Sequence, residues 1–205
     1  MIPADGVLCA LNYVSCTCRY PIYTTLALIH MPEADMWTYY LHKGGTAVDK
    51  PIKQLGINFA APGDRLAENN TLWLEYPIAG GPSPKVWITT EPAKPQWFRY
   101  HASRVREGSG IPWVCASGAK DLKSVTIQVN GGGPYRVREY YAQPMEDNDL
   151  KLRSTVMEHR NVKAEAGRLK WDFGGKGYVC GLEILDEALP AKEGAGKGVG
   201  VIGQW

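Results

Sequence analysis

The sequence predicts an all-β fold, an antiparallel β-sandwich, and three observations carry that prediction. The stretch Tyr135-Arg-Val-Arg-Glu-Tyr-Tyr141 places Tyr135, Val137 and Tyr141 on one face and Arg136 and Arg138 on the other. Alternation of this kind marks a half-buried strand. No stretch longer than about ten residues shows 3.6-residue periodicity, and the nearest, Met157 to Gly167, carries too few apolar residues for a helix. The 205 residues include Gly 23 and Pro 14, a supply of turn formers that suits many short strands.

Taken in order, the first 50 residues differ from the rest. Tyr23–His30 and Met36–Leu41 are strand-like and share the segment with Cys9, Cys16 and Cys18. Two or three strands are too few for an independent core, so they are expected to pack on the following domain, another chain or a missing piece. Ile52–Phe59 is the next strand, followed by the turn-rich run Ala60–Thr71 and by Trp73–Tyr76. Val86–Thr90, Trp97–Ser103 and Trp113–Gly118 continue the series, with Gly80–Pro84 and Glu91–Pro95 as loops. Lys123–Val129 alternates with Val125, Ile127 and Val129 on one face, and Asn130-Gly-Gly-Gly-Pro134 leads as a turn or loop into the Tyr135 strand, which Pro144 is expected to end. Leu150–Val156 and Arg168–Phe173 follow, and Gly174–Gly177 is expected to be a hairpin turn into Tyr178–Leu185. Beyond it the glycine-rich run to Trp205 has the composition of a flexible tail.

Charge and hydropathy exclude some functions. A formal net charge of +2, with no Lys/Arg run longer than two, argues against nucleic acid as a partner, because phosphate binding needs clustered cations. No apolar run approaches the ~20 residues needed to span a bilayer, so the chain is not expected to cross a membrane. Met-Ile-Pro-Ala-Asp-Gly at the start lacks the features of a signal peptide.

Gly194-Ala-Gly-Lys-Gly198 fails as a phosphate loop, since Lys197 is followed by Gly and no helix follows. His30, His42, His101 and His159 show no metal-ligand spacing. Ser103 and Ser117 lack the nucleophile elbow. Glu75, Glu91 and Glu139 are carboxylates whose spacing alone does not establish a catalytic pair. The expectation is therefore a non-enzymatic protein with no cofactor and no metal. Five cysteines make no closed disulfide framework. Cys115 and Cys180 lie in apolar, strand-like contexts and are expected as buried small hydrophobes, whereas Cys9, Cys16 and Cys18 are disulfide candidates in an oxidising compartment.

What remains is a set of aromatics on turn-rich segments, Trp73, Tyr76, Trp97, Tyr100 and Trp113, interleaved with Asp64, Arg65, Arg99 and His101. Sugar binding needs an aromatic face for the C–H side of a pyranose and planar polar groups for its hydroxyls. Asp64, Arg65, Trp73, Tyr76, Trp97, Tyr100 and His101 are the candidate ligand-binding residues on that ground. The same aromatics are also what a sandwich core and its rim would use, and Asp64 with Arg65 would also serve as a loop-stabilising ion pair.

Gly56-Ile-Asn-Phe-Ala-Ala-Pro-Gly-Asp-Arg-Leu-Ala-Glu-Asn-Asn-Thr-Leu-Trp-Leu-Glu-Tyr-Pro77 resembles the opening of malectin-like domains. Tyr135-Arg-Val-Arg-Glu-Tyr-Tyr-Ala-Gln-Pro144 is similar to their Y-x-V-x-L-x-F-A-E-P strand, and Val179-Cys-Gly-Leu-Glu-Ile184 to their closing G-I-E-I strand. The variant it most resembles follows a pyrroloquinoline-quinone-type β-propeller in large bacterial, planctomycete-like proteins. Asn12–Met31, with Cys16-Thr-Cys-Arg-Tyr-Pro21, resembles the last propeller segment. The resemblance implies a propeller-derived segment over 1–50, a malectin-like jelly-roll sandwich over 51–187 and a tail over 188–205. Two departures stand out: Glu139 replaces an apolar residue of the family strand, and the chain between Val156 and Arg168 is shorter than the family pattern.

By that resemblance the protein is a non-catalytic carbohydrate-binding-like module outside the cytoplasm, periplasmic or at the cell surface. The alternative is a structural or accessory subunit of a larger protein complex, docking through its N-terminal strands and C-terminal tail. A third reading makes the chain part of a quinoprotein or hydrolase whose chemistry lies elsewhere.

Overall fold

The computed structural model describes residues 2–4, 7–10, 26–29, 47–78, 84–146, 148–175 and 177–188. The expected strand over Met36–Leu41 and the tail beyond residue 188 lie outside the described residues. The chain divides into two compact units, Met1–Met36 and Trp37–Trp205. In the first, β1 (Ile2–Ala4), β2 (Val7–Ala10) and β3 (Leu26–Ile29) form a three-stranded antiparallel sheet in the order β1-β2-β3. Ala47–Lys50 is tied to the second unit. There Val48 N donates to the Lys85 carbonyl at 3.2 Å, and Asn130 Nδ2 donates to the Val48 carbonyl at 2.9 Å.

The second unit is the β-sandwich that the alternation predicts. Its strands are β4 (Gln54–Phe59), β5 (Arg65–Leu66), β6 (Leu72–Tyr76), β7 (Ile88–Glu91), β8 (Trp97–Arg99), β9 (Val105–Gly108), β10 (Ser117–Ala119), β11 (Ser124–Gln128), β12 (Tyr135–Met145), β13 (Asn148–Val162), β14 (Arg168–Asp172) and β15 (Tyr178–Asp186). The larger sheet runs β5-β6-β4-β15-β12-β13-β9, with β10 joined to β15 and β8 to β10. The smaller runs β14-β11-β7. Pairing is antiparallel except for β4 with β6 and β9 with β13.

One core fills the space between the sheets. Leu55, Ile57, Val137, Tyr141, Leu182 and Ile184 of the large sheet meet Val125, Ile127 and Leu169 of the small one. A second core covers the opposite face of the large sheet, where Trp73, Tyr140, Ala142 and Leu152 pack under Phe98, Val114 and Cys115. The covering layer is the 3-10 turn (Ala102–Arg104) and helix α1 (Pro112–Cys115), in the segment between β8 and β10. A single helical turn therefore stands where the sequence reads as a strand from Trp113. Pro112 at the helix start explains the change, because its fixed φ suits that position and its missing N–H costs nothing there.

Three other expectations are corrected. Pro144 does not end its strand; β12 continues to Met145, pairing Pro144 with Leu152 of β13. Pairing with β15 has already ended at Ala142, so the proline nitrogen faces no ladder partner on that side. Gly174–Gly177 is not a hairpin turn, since it carries the chain from β14 in the small sheet to β15 in the large one. The segment after Val156 stays extended to Val162, making β13 a strand of 15 residues.

Candidate functional site

The outward face of the small sheet presents the most exposed aromatic side chain among the described residues. Approaching β7 the chain alternates strictly, with Val86 buried and Ile88 packed on the core, and with Lys85, Trp87 and Thr89 facing outward. Trp87 is 63% exposed. An indole left this open gives up much of the ~1.5–3 kcal/mol that burying a large apolar side chain supplies. Gln128 N donates to the Trp87 carbonyl at 2.9 Å, and Gln128 is paired with Arg168 on β14. Trp87, Gln128 and Arg168 thus form one row across the three strands, roughly 10 Å wide at ordinary strand spacing.

The polar members of the row are held in place. Arg168 Nε donates to Gln128 Oε1 at 3.3 Å, and Gln128 Nε2 donates to Asn130 Oδ1 at 2.8 Å. Asn130 is itself fixed at φ 55° and bonds the Val48 carbonyl. Lys85 Nζ stands 4.9 Å from the Trp87 ring centroid. Thr89, Thr126 and Lys170 form the next row. The result is an aromatic plate beside an oriented amide and guanidinium, the chemistry a pyranose can use on both its C–H and hydroxyl sides. Trp87 was not among the sequence-based candidates, although the Val86/Ile88 alternation carries the signal that would have found it.

The residues that sequence reasoning chose fall into three separate groups. Arg65 and Trp73, a cross-strand pair, lie on the outer face of the large sheet, with Asp64 next to Arg65 in the chain. Trp73 is fully buried, with Trp113 and Tyr140 edge-on at 5.8 and 5.1 Å, and so offers no platform to a ligand. That candidate is overturned: the covering layer around α1 makes this side of the sheet a second core. The Arg65 guanidinium stacks on Trp113 at 4.6 Å, and Asp64 Oδ1 accepts from the Glu75 amide at 3.0 Å.

Tyr76 and Trp97 sit at one end of the main core, both packed on Phe59. Trp97 stacks at 6.3 Å and Tyr76 meets the same ring edge-on at 6.2 Å. Tyr100 packs against Phe98 at 5.5 Å beneath the Arg104 guanidinium at 4.4 Å. His101 has a local task, because its Nδ1 accepts from the Ser103 amide at 3.2 Å and caps the 3-10 turn. Of the disulfide candidates, Cys9 falls in β2, while Cys16 and Cys18 lie outside the described residues. Cys115 and Cys180 are buried free thiols, as expected.

The carboxylates do not converge. Glu139 faces the inter-sheet core, Glu75 shares the opposite face of the large sheet with Trp73, and Glu91 is on the outward face of the small sheet. Glu139 is 2% exposed but partnered: Tyr141 Oη donates to Oε2, and His159 Nε2 lies 2.7 Å from Oε1. The Trp171 indole packs edge-on to His159 at 4.9 Å. Burial holds the Glu139 carboxyl above its ordinary value, while His159 and Trp171 pull the other way. A second buried carboxylate, Glu183, is on the far side of the sheet. It accepts from Thr71 Oγ1 at 2.7 Å, Asn69 Nδ2 at 3.2 Å, Tyr140 Oη at 3.2 Å and Arg138 at 3.4 Å. Burial first, then Glu183, pushes the Tyr140 hydroxyl upward, so it remains a donor. Four donors saturate Glu183 and suit it to tying the 69–71 turn to β12 and β15.

No family model matches the sequence, and no curated protein matches it. Solved structures that match include a β-glucuronidase of Bacteroides uniformis at 8% identity and a TM-score of 0.43, covering 65% of this chain and 18% of that one. B. uniformis β-glucuronidase 2 bound covalently to cyclophellitol-6-carboxylate aziridine matches at 8% identity and 0.42, over 80% and 20%. Its calcium-binding mutant matches at 8% and 0.43, over 84% and 22%. The chain spans about a fifth of the length of these enzymes, and at such scores the likeness carries no argument about its chemistry. Among the described residues no helix is long and apolar enough to cross a membrane.

Proposed function

We propose that this protein is a non-catalytic carbohydrate-binding-like module of the malectin-like kind, with the glycan held on the outward face of the small sheet. The observation that carries the reading is Trp87, 63% exposed and aligned with Gln128 and Arg168. The malectin-like part draws support from the stretches that resemble that family, which supply β4, β6, β12 and β15, joined in the order β6-β4-β15-β12 within the large sheet. An extracytoplasmic location belongs to the same reading.

The test is the full chain against a broad glycan array, followed by calorimetry on the hits. Replacement of Trp87 by Ala should weaken binding about tenfold or more, the change that corresponds to losing about 1.4 kcal/mol of contact. Trp113→Ala, on the far side of the sandwich, should leave affinity within twofold. A folded chain that binds no glycan, or binds as well without Trp87, sinks the proposal.

A second reading, an accessory part of a larger assembly, draws on the separate Met1–Met36 unit, whose three strands are too few for a freestanding core. Cross-linking followed by purification from the native host tests it, and recovery of the chain alone counts against it.

A further inference from the structure

Two thiols meet in the second core, on segments 65 residues apart. Cys115 ends helix α1 in the covering layer, and Cys180 lies on β15 in the large sheet beneath it. Both are fully buried among Trp73, Phe98, Val114 and Leu152. Cys180 Sγ donates to the Cys115 carbonyl at 3.6 Å, so its sulfur lies against the Cys115 main chain. A disulfide needs Cβ atoms about 3.5–4.5 Å apart, so it closes when the two side chains turn toward each other across this contact.

We propose that Cys115 and Cys180 form a disulfide that fastens the covering layer to β15 when the chain folds in an oxidising compartment. One cysteine, as thiolate, attacks a sulfur of an external disulfide oxidant such as glutathione disulfide, forming a mixed disulfide and expelling one thiolate. The second cysteine then attacks the protein sulfur of that mixed disulfide, closing the S–S bond and expelling the other thiolate. The cysteines together lose two electrons and two protons, and the oxidant is reduced to two thiols. Timing follows from the surroundings. Both thiols are fully buried, so an external disulfide reaches neither in the folded reduced form, and burial also holds the Cys180 thiol above its ordinary range. The bond therefore forms while α1 is docking, and the folded reduced protein oxidises slowly.

The experiment refolds the full chain from the reduced, denatured state in a glutathione redox buffer, blocks every remaining thiol with N-ethylmaleimide in denaturant so that buried thiols are reached, and maps peptides by mass spectrometry without reduction. The expected product is a linked peptide pair containing Cys115 and Cys180, lighter by two hydrogens than the separate peptides. Reduction should then lower Tm by of the order of 10 °C for a loop of this length. A variant with Cys9, Cys16 and Cys18 all replaced by Ala should keep that response, and Cys115→Ala should abolish it. Maleimide on both Cys115 and Cys180 after refolding, or either of them linked to another cysteine, overturns the proposal. These outcomes are independent of whether any glycan binds.

Discussion

Glu139 stands on the core side of β12, where its neighbours Val137 and Tyr141 are wholly or almost wholly buried, and it is tolerated because Tyr141 and His159 are placed to meet it. Its carboxyl is held above its ordinary value of 4.5, first by burial. The sign of the consequence follows from linkage. Between the unfolded value and the raised folded one, the folded state holds the proton more tightly, so stability falls as pH rises through that window and levels off above it. Glu139→Gln should remove this slope while keeping an acceptor for Tyr141, which denaturant melts between pH 4 and 8 would show. Glu139→Ala should cost about 1–3 kcal/mol at neutral pH, because the buried Tyr141 hydroxyl loses its acceptor. Equal pH slopes in the wild type and Glu139→Gln would mean that Glu139 is not the titrating group. The sequence showed that Glu139 breaks the apolar pattern, but its partner could not be found locally: His159 is 20 residues away on the paired strand β13, opposite Val137.

The elements show why some faces were legible and others were not. β12 and β11 alternate because each sets one side against the inter-sheet core, and both were found with nearly correct ends. β6 does not alternate, since Trp73 lies in one core and Leu74 in the other. A strand buried on both faces loses the period-2 signal, so the sequence leaves Trp73 open between ligand platform and core. Trp87 lies between two apolar residues and reads as core until the alternation is followed through Lys85. Turns were visible in Asn130–Pro134 and Gly174–Gly177, but composition marks a change of direction without saying which sheets it joins. The burial of Trp73 also accounts for two glycines. A Cβ on Gly56 would lie 2.2 Å from its indole, and one on Gly181 would lie 2.9 Å from the same ring. Gly56→Ala should therefore push the indole off β4 and cost about 1–3 kcal/mol or more, seen as a lowered Tm with altered near-ultraviolet dichroism. An unchanged Tm would show that the ring does not lie across the strand.

For the whole molecule, the division at Met36 makes a prediction about cooperativity. Among the described residues the main core runs from Ile52 to Ile184 and the second from Trp73 to Cys180, within the Trp37–Trp205 unit. Within that unit Ala47 bridges Lys85, and Asn130 closes on Val48. A chain lacking residues 1–36 should then fold with one cooperative transition and a Tm within a few degrees of the full chain, and should keep any glycan affinity that depends on Trp87. The complementary fragment 1–36 should not fold alone, because three short strands bury too little surface to offset their ordering entropy. Calorimetry of both pieces decides the matter. A truncated sandwich that melts broadly or precipitates would show that the first unit completes the second. The propeller-derived reading of residues 1–50 would then give way to one in which those strands belong to the sandwich itself.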